Sequence, residues 1–301
     1  MDKLINTVFY GHGPWASNTL KKLLKRKDLK VNLVVSRFPS GDKDIESICK
    51  IYSKQYVLVE NINEYFVRKN LFFDLGISVS YDQIFKSNTI ISHKKALINC
   101  HAGNLPDFKG RNIINWAIIN NLKEFGITVH FVNEGIDTGD IILQKLIEIK
   151  DNDDYKDLLL KAYKVCPELV INSLDIILKN KFNGIPQNKI KKFPIYCSRR
   201  REGDEIINWN NTSLEIFNFI RALVYPGPYA QTFINGVRVY IKKAEYIKEA
   251  PVYKDCPGSI LKKENSVLTV KTGDSYIFIK EWDCDILLKI GDRFNSGFNH
   301  C

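Results

Sequence analysis

No stretch of this chain approaches the roughly 18 to 20 consecutive apolar residues needed to span a bilayer. Met1-Asp2-Lys3 leads directly into the strand-like run Leu4 to Tyr10, with no signal-peptide cleavage site. The expectation is a cytoplasmic protein with no membrane partner. The seven cysteines (Cys49, Cys100, Cys166, Cys197, Cys256, Cys284 and Cys301) lack any CxxC pair or Cys/His zinc spacing, so free thiols and no metal centre are expected. Internal repeats and low-complexity tracts are missing as well. The turn Gly11-His12-Gly13 lacks the third glycine of a dinucleotide fingerprint. The basic stretches carry no interleaved aromatic residues, which argues against a nucleic-acid platform.

What is present is enough for a sizeable core. A chain of 301 residues with 45% hydrophobic content fits one large domain and a smaller one. The formal net charge of +10 is concentrated at Lys21 to Lys27, Lys189 to Lys192 and Arg199 to Arg201. Such an excess favours anionic partners: nucleic acid, an acidic membrane surface or a diphosphate-bearing metabolite.

Strand-like and helix-like segments alternate from Ile5 onward. Residues 5–10, 31–35, 56–59, 75–79 and 96–100 read as strands, with helices near 16–25, 42–53 and 62–69 between them. Alternation at these intervals implies right-handed crossovers and an α/β architecture, a mostly parallel, doubly wound, Rossmann-like sheet. Ile113, Ile114, Ala117 and Ile118 make one buried helical stripe, followed by strands at 127–132 and 141–144. A helical region at 155–179 is expected to break near Pro167. Composition turns polar and basic after Gly184, which predicts a catalytic domain over 1–184, a linker over 185–205 and a C-terminal module over 206–301. That module opens with a helix at 213–223 capped by Thr212 or Ser213, and Asn235-Gly236 is the strongest hairpin signal in the chain.

Ligands of such sheets bind beyond the carboxyl ends of the strands. Ala96 to His101 ends there, and period two turns Asn99 and His101 to one face and Cys100 to the other. Asp137, in the loop Gly135-Ile136-Asp137-Thr138-Gly139-Asp140, supplies a carboxylate to orient the imidazole or take its proton. A carboxamide, an imidazole and a carboxylate are the parts an acyl transfer to an amine requires. His130 reads as a packing or hydrogen-bonding neighbour. Gly11 and Trp15, in the turn that precedes a helix N-terminus, either meet substrate phosphates or only make the turn.

The stretch from Asn99 to about Gln144 resembles the folate-dependent formyltransferase family. It includes His101-Ala102-Gly103-Asn104-Leu105-Pro106, Gly110-Arg111-Asn112 and Gly126-Ile127-Thr128-Val129-His130. Transfer-RNA formyltransferases typically read His-Pro-Ser-Leu-Leu-Pro after the histidine. The wording here is similar to that of the sugar N-formyltransferases, although Asp107, Phe108 and Lys109 depart from the usual aromatic-Tyr-Arg.

The resemblance implies 10-formyltetrahydrofolate as donor and a dTDP-linked amino-dideoxysugar as acceptor, most simply the 4-amino-4,6-dideoxyglucose of surface polysaccharide synthesis. Asn99 and a protonated His101 would steady the oxyanion, and Asp137 would raise the imidazole pKa. The family's loops imply that the pterin lies against Ser80, Gln83, Ile84 and Phe85 and against Asn133 to Asp137. Gly11, Trp15, Gly103, Lys109, Arg199, Arg200 and Arg221 are the candidates for the acceptor and its diphosphate, with Tyr225 or Tyr229 stacking on the base. No metal and no covalent enzyme intermediate are expected, and a homodimer is implied by the resemblance alone. Methionyl-tRNA formylation and a non-catalytic folate- or nucleotide-binding role stand as alternatives.

Overall fold

The computed structural model describes residues 4–180, 183–190 and 194–295. Cys301 and the basic residues Lys191 and Lys192 lie outside the described residues. Two compact units divide the chain: Met1–Ile113, Phe125–Ile147 and Leu160–Cys197 form the first, and Ile114–Glu124, Glu148–Leu159 and Ser198–Cys301 the second.

The first unit is built on β1 (Ile5–Gly11), α1 (Gly13–Leu23), β2 (Leu29–Ser36), α2 (Lys43–Ile51), β3 (Gln55–Leu58), α3 (Ile62–Lys69), β4 (Phe73–Val79), α4 (Ser87–Ile91) and β5 (His93–His101). The two-residue strand β6 (Lys109–Gly110) follows. After α5 (Ile113–Ile119) come β7 (Glu124–Phe131), β8 (Ile141–Glu148), α6 (Tyr155–Asn180) and the short β9 (Tyr196–Cys197). The main sheet has the order β3-β2-β1-β4-β5-β7-β8. Its pairs from β3 through β5 are parallel, and β7 runs antiparallel to β5.

The sheet's core follows from its strand sequences. Val8, Tyr10, Leu33 and Val35 alternate inward and pack with Phe66 and Phe73, each full burial contributing roughly 1.5–3 kcal/mol. Asp42 caps α2 by accepting the Ile45 amide, and Asn61 caps α3 by accepting those of Asn63 and Glu64. The expected break at Pro167 does not occur, because α6 runs as one 26-residue helix. Proline in a helix interior costs about 3 kcal/mol. Ala162, Cys166, Val170 and Leu174 are fully buried along one stripe of α6, and their burial outweighs that cost.

The second unit holds α7 (Ser213–Arg221) and a five-stranded sheet of order β10-β11-β14-β13-β12, all of whose pairs are antiparallel. Its strands are β10 (Ala230–Ile234), β11 (Val237–Glu245), β12 (Ile260–Glu264), β13 (Val267–Lys271) and β14 (Tyr276–Asp283). Thr212 caps α7 in a reciprocal box with Glu215. Asn235 and Gly236 turn the β10–β11 hairpin with φ of 50° and 79°.

The division is not a single cut near residue 184. Asn115 donates to the Ala222 carbonyl and Trp116 to that of Ser198, so residues of α5 belong to the second unit. Arg221 likewise holds the 148–159 segment there through the carbonyls of Lys150 and Asp153. The expected linker also changes character. Ile185 pairs in both directions with Ile141, and β9 pairs with β6, so residues 185–190 and 194–197 strap onto the first unit.

Candidate active site

β5 delivers Asn99, Cys100 and His101 at the carboxyl end of the sheet. Alternation sends the Cys100 sulfur to the opposite face, 3.0 Å from Cys166 of α6. Across the antiparallel register, Asn99 stands opposite His130 and His101 opposite Thr128, giving one polar face of four side chains.

His101 is 8% exposed. Its Nε2 lies 2.8 Å from the Phe108 carbonyl, and its Nδ1 faces Asp137 Oδ2 at 3.5 Å. The other carboxylate oxygen faces His130 Nε2, also at 3.5 Å, and the Gly110 amide donates to Oδ2 at 3.0 Å. One carboxylate therefore stands between two imidazoles. Burial works to raise the Asp137 pKa, but His101, His130 and the Gly110 amide carry it well below the ordinary carboxylate range. Burial dominates for His101 and lowers its pKa, against the opposing pull of Asp137 and the Phe108 carbonyl. The expectation of a raised imidazole pKa is thereby corrected: Asp137 acts in the expected direction, and desolvation is the larger effect.

Asp137 sits in the left-handed region at φ 52°, a conformation sparsely populated by residues other than glycine. Gln187 secures that turn, its Nε2 donating to the carbonyls of Asp137 at 2.9 Å and Gly139 at 2.7 Å. Asn133 builds the same turn by accepting from the Gly135 amide and the Thr138 hydroxyl. After His101, the chain passes so close to the ring that a Cβ on Gly103 would overlap both His101 Nε2 and the Phe108 carbonyl. Thr128 and Gln144 fix this loop through the carbonyls of Gly103 and Leu105.

In the 80–85 loop, the Ser80 carbonyl accepts from Arg37. Gln83 accepts from the Ile62 amide and donates to the Val59 carbonyl, and the buried Phe85 ring lies edge-on to Tyr10 at 4.9 Å. Both side chains are scaffold. Ile84 alone of the loop candidates is a large apolar side chain left exposed, at 58%.

The formyl transferase family model matches residues 53–174, and the model of that family's C-terminal domain matches residues 200–285. The methionyl-tRNA formyltransferase of Thermodesulfovibrio yellowstonii is 32% identical over 272 residues, covering 87% of this chain and 85% of the relative. The chain belongs to the formyl transferase family. Among solved structures, an N-formyltransferase from Helicobacter canadensis in complex with folinic acid and dTDP-3-aminofucose is similar with a TM-score of 0.71 and 25% identity, over 92% of this chain and 98% of that one. A 4-N formyltransferase from Francisella tularensis aligns with a TM-score of 0.64 and 26% identity, over 79% of this chain and 97% of its own.

The acceptor candidates of this formyltransferase fall into both units. In the first, Gly11 closes β1, but Asp42 Oδ2 already accepts the Gly13 amide at 2.6 Å. A carboxylate at the start of α1 opposes the phosphate expected there. Trp15 lies edge-on to Tyr163 at 5.7 Å, and buried Lys109 holds its ammonium 5.6 Å from the Tyr196 ring centre. In the second unit, Arg200 pairs with Glu205 at 3.3 Å. Arg221 is buried, with its guanidinium donating to Asn218 and to the Lys150 and Asp153 carbonyls. These bonds clamp the 148–159 segment to α7. Arg221, Tyr225 and Tyr229 do line one cavity of about 1180 Å³ within that unit, beside Phe217 and Tyr246. Arg199 follows Ser198 in the same unit. Among the described residues, no group of three His, Cys, Asp or Glu side chains could hold a metal ion, and no helix is long and apolar enough to cross a membrane.

Proposed function

We propose that this formyltransferase moves the formyl group of 10-formyltetrahydrofolate to the amino group of a dTDP-linked amino-dideoxysugar, most simply dTDP-4-amino-4,6-dideoxyglucose, acting as a homodimer. The observation that carries the acceptor class is the crowding at Gly103. The serine that transfer-RNA enzymes typically have at this place would displace the His101 ring or the Phe108 carbonyl, so the loop is built for the sugar-type wording. The near-complete mutual coverage with the Helicobacter canadensis enzyme, whose structure holds dTDP-3-aminofucose, supports the same class of acceptor.

The donor set fits a formyl group. When bound, 10-formyltetrahydrofolate supplies an activated formyl carbon whose oxygen gains negative charge as the amine adds. Asn99 directs one Nδ2–H towards His130 Nε2 at 3.3 Å and keeps a second for that oxygen. The Phe108 carbonyl only accepts, so the neutral His101 ring carries its hydrogen on Nε2 and leaves the Nδ1 lone pair, on the Asp137 side, to take a proton. Its lowered pKa makes the ring a proton acceptor near neutral pH. His101 takes the proton lost by the attacking amine on Nδ1, where Asp137 steadies the imidazolium, and returns it to the leaving nitrogen of the folate. Nε2 keeps its bond to the Phe108 carbonyl throughout, which fixes the ring while Nδ1 exchanges the proton. The Ile84 side chain and the backbone of residues 133–137 are the surfaces assigned to the pterin.

Methionyl-tRNA formylation is the second reading, favoured by the 32% identity to the Thermodesulfovibrio yellowstonii enzyme. The test incubates the protein and 10-formyltetrahydrofolate with dTDP-linked 3-amino and 4-amino sugars and, separately, with methionyl-tRNA. Formyl mass gain on an aminosugar at catalytic rates supports the proposal. Turnover of methionyl-tRNA alone, falling steeply with added salt as many phosphate contacts require, overturns it.

A further inference from the structure

We propose that His12 is an acceptor-binding residue, which receives a ring hydroxyl of the aminosugar whose amine meets His101. The inference rests on the aminosugar reading given above and names a recognition residue within it.

Strand register places the residue. Gly11 pairs with Val79 and Val79 with Cys100, so these three lie in one line across β1, β4 and β5. His12 and His101 are the next residues on the two outer strands, and at roughly 4.8 Å per strand step their backbones stand about 10 Å apart. His12 keeps an extended backbone, with φ −155° and ψ 144°. Period two therefore holds through it and turns its ring to the face that carries Asn99 and His101. One imidazole stands on each side of a gap two strands wide, at the carboxyl edge where such sheets receive ligands. Arg111, next to the Gly110 amide that holds Asp137, donates to the Asp82 carbonyl at 2.9 Å, which ties the turn after β4 to the catalytic loop.

The surroundings of His12 suit a hydroxyl and not a phosphate. Its Nδ1 lies 3.7 Å from Asp42 Oδ2, too far for a hydrogen bond, and is enclosed without a hydrogen-bond partner among the described residues. Asp82 Oδ1 is enclosed and unpartnered in the same way, while its Oδ2 stands 3.9 Å from Arg37 Nε. The side chains of His12, Arg37 and Asp82 are 30%, 30% and 34% exposed, so a ligand can reach all three. Burial and then Arg37 lower the His12 pKa, against Asp42, Asp82 and the Gly41 carbonyl, which leaves the ring neutral near pH 7. A neutral ring offers a phosphate no charge, and the two carboxylates repel it. A hydroxyl both donates and accepts, so it pairs with the ring in either tautomer and can also donate to Asp82.

The experiment gives wild type, His12→Phe and His12→Gln the dTDP-linked 3-amino or 4-amino sugar that wild type formylates, and analogues of it that each lack one ring hydroxyl. Steady-state kcat and KM are read separately, beside thermal melts. In wild type, one analogue is expected to show KM raised about tenfold, the equivalent of one hydrogen bond. His12→Phe is expected to raise KM for the parent sugar by about the same factor and to leave KM for that analogue unmoved, the non-additivity of two partners in one contact. Its kcat, and its KM for the formyl donor, stay within about twofold. His12→Gln, which also donates and accepts, recovers most of the loss. If His12→Phe is unfolded, His12→Ala takes its place. An unmoved KM for the parent sugar in a folded variant, a fall in kcat at constant KM, or an equal loss on the parent and every analogue overturns the inference. A wild type that formylates no aminosugar overturns the acceptor reading as well, whereas aminosugar turnover indifferent to His12 overturns the role of His12 alone.

Discussion

Gly103→Ser is the most informative single perturbation of the loop that follows the catalytic strand. Gly103 is buried, and any Cβ there overlaps the Nε2 of His101 and the carbonyl of Phe108, which lie 2.8 Å apart in a hydrogen bond. Neither atom is the end of a flexible side chain free to swing away, because Asp137 confines the ring and the Gly110 amide is tied to the same carboxylate. Relief therefore separates the ring from the carbonyl. Stranding a buried imidazole N–H costs roughly 1–3 kcal/mol, and overpacking a tight site adds about 1–3 kcal/mol. The catalytic effect is larger in proportion, since a displaced proton-transfer group forfeits typically 10²–10⁴ in rate. The expected result is a melting temperature lowered by several degrees and a kcat reduced at least about 10²-fold, with the formyl donor still bound. Steady-state assays with 10-formyltetrahydrofolate and a dTDP-aminosugar, paired with thermal melts, measure both. Unchanged kcat and unchanged melting in Gly103→Ser would refute the close approach and, with it, the structural argument for the acceptor class.

Other positions give independent checks. Asp137→Asn removes a carboxylate whose oxygens lie 3.5 Å from two imidazoles, an attraction of about 4 kcal/mol at an effective dielectric near 20 once His101 takes up the transferred proton. It is expected to lower kcat about 10³-fold and to push the His101 pKa further down, readable by NMR titration. Gln187→Ala frees two carbonyls of the Asp137 turn. It should reduce kcat about tenfold or more while costing roughly 1–2 kcal/mol of stability, and an unaffected kcat would show that the strap does not govern the turn. Arg221→Ala should destabilise the second unit by about 2 kcal/mol or more, as seen by denaturant melts, with KM for the nucleotide sugar little changed.

His93 supplies a pH test remote from catalysis. Burial lowers its pKa from 6.5 to about 4, against the bond to the Thr89 carbonyl. The unfolded chain then binds the proton more readily, so stability is complete above pH 6.5 and falls as pH drops towards 4. The slope is at most about 1.4 kcal/mol per pH unit. His93→Gln should remove that slope from urea-melt data collected across the window.

Much of the scaffold was legible because it depends on local periodicity. Period two placed Asn99 and His101 on one face, and the alternation of strands and helices gave the parallel part of the sheet. Asn235-Gly236 announced its hairpin through backbone chemistry alone. Contacts between distant segments left no such trace. His130 read as packing because only the β5–β7 register sets it opposite Asn99. Gln187 lay in a polar, basic stretch that looked like a linker, and nothing local to it signals two bonds to the Asp137 turn. Arg221 looked available for a diphosphate since a guanidinium's burial, and the carbonyls that bury it, come from residues about 70 positions away. The depressed His101 pKa was similarly hidden, because desolvation depends on the complete environment.

The most direct measurement is the mass of the aminosugar recovered from wild type and from His101→Ala after incubation with 10-formyltetrahydrofolate. Wild type should yield a product heavier by one formyl group, and the variant, folded and still binding nucleotide sugar, should yield none. Undiminished formylation by His101→Ala would contradict the assignment of proton transfer to this ring.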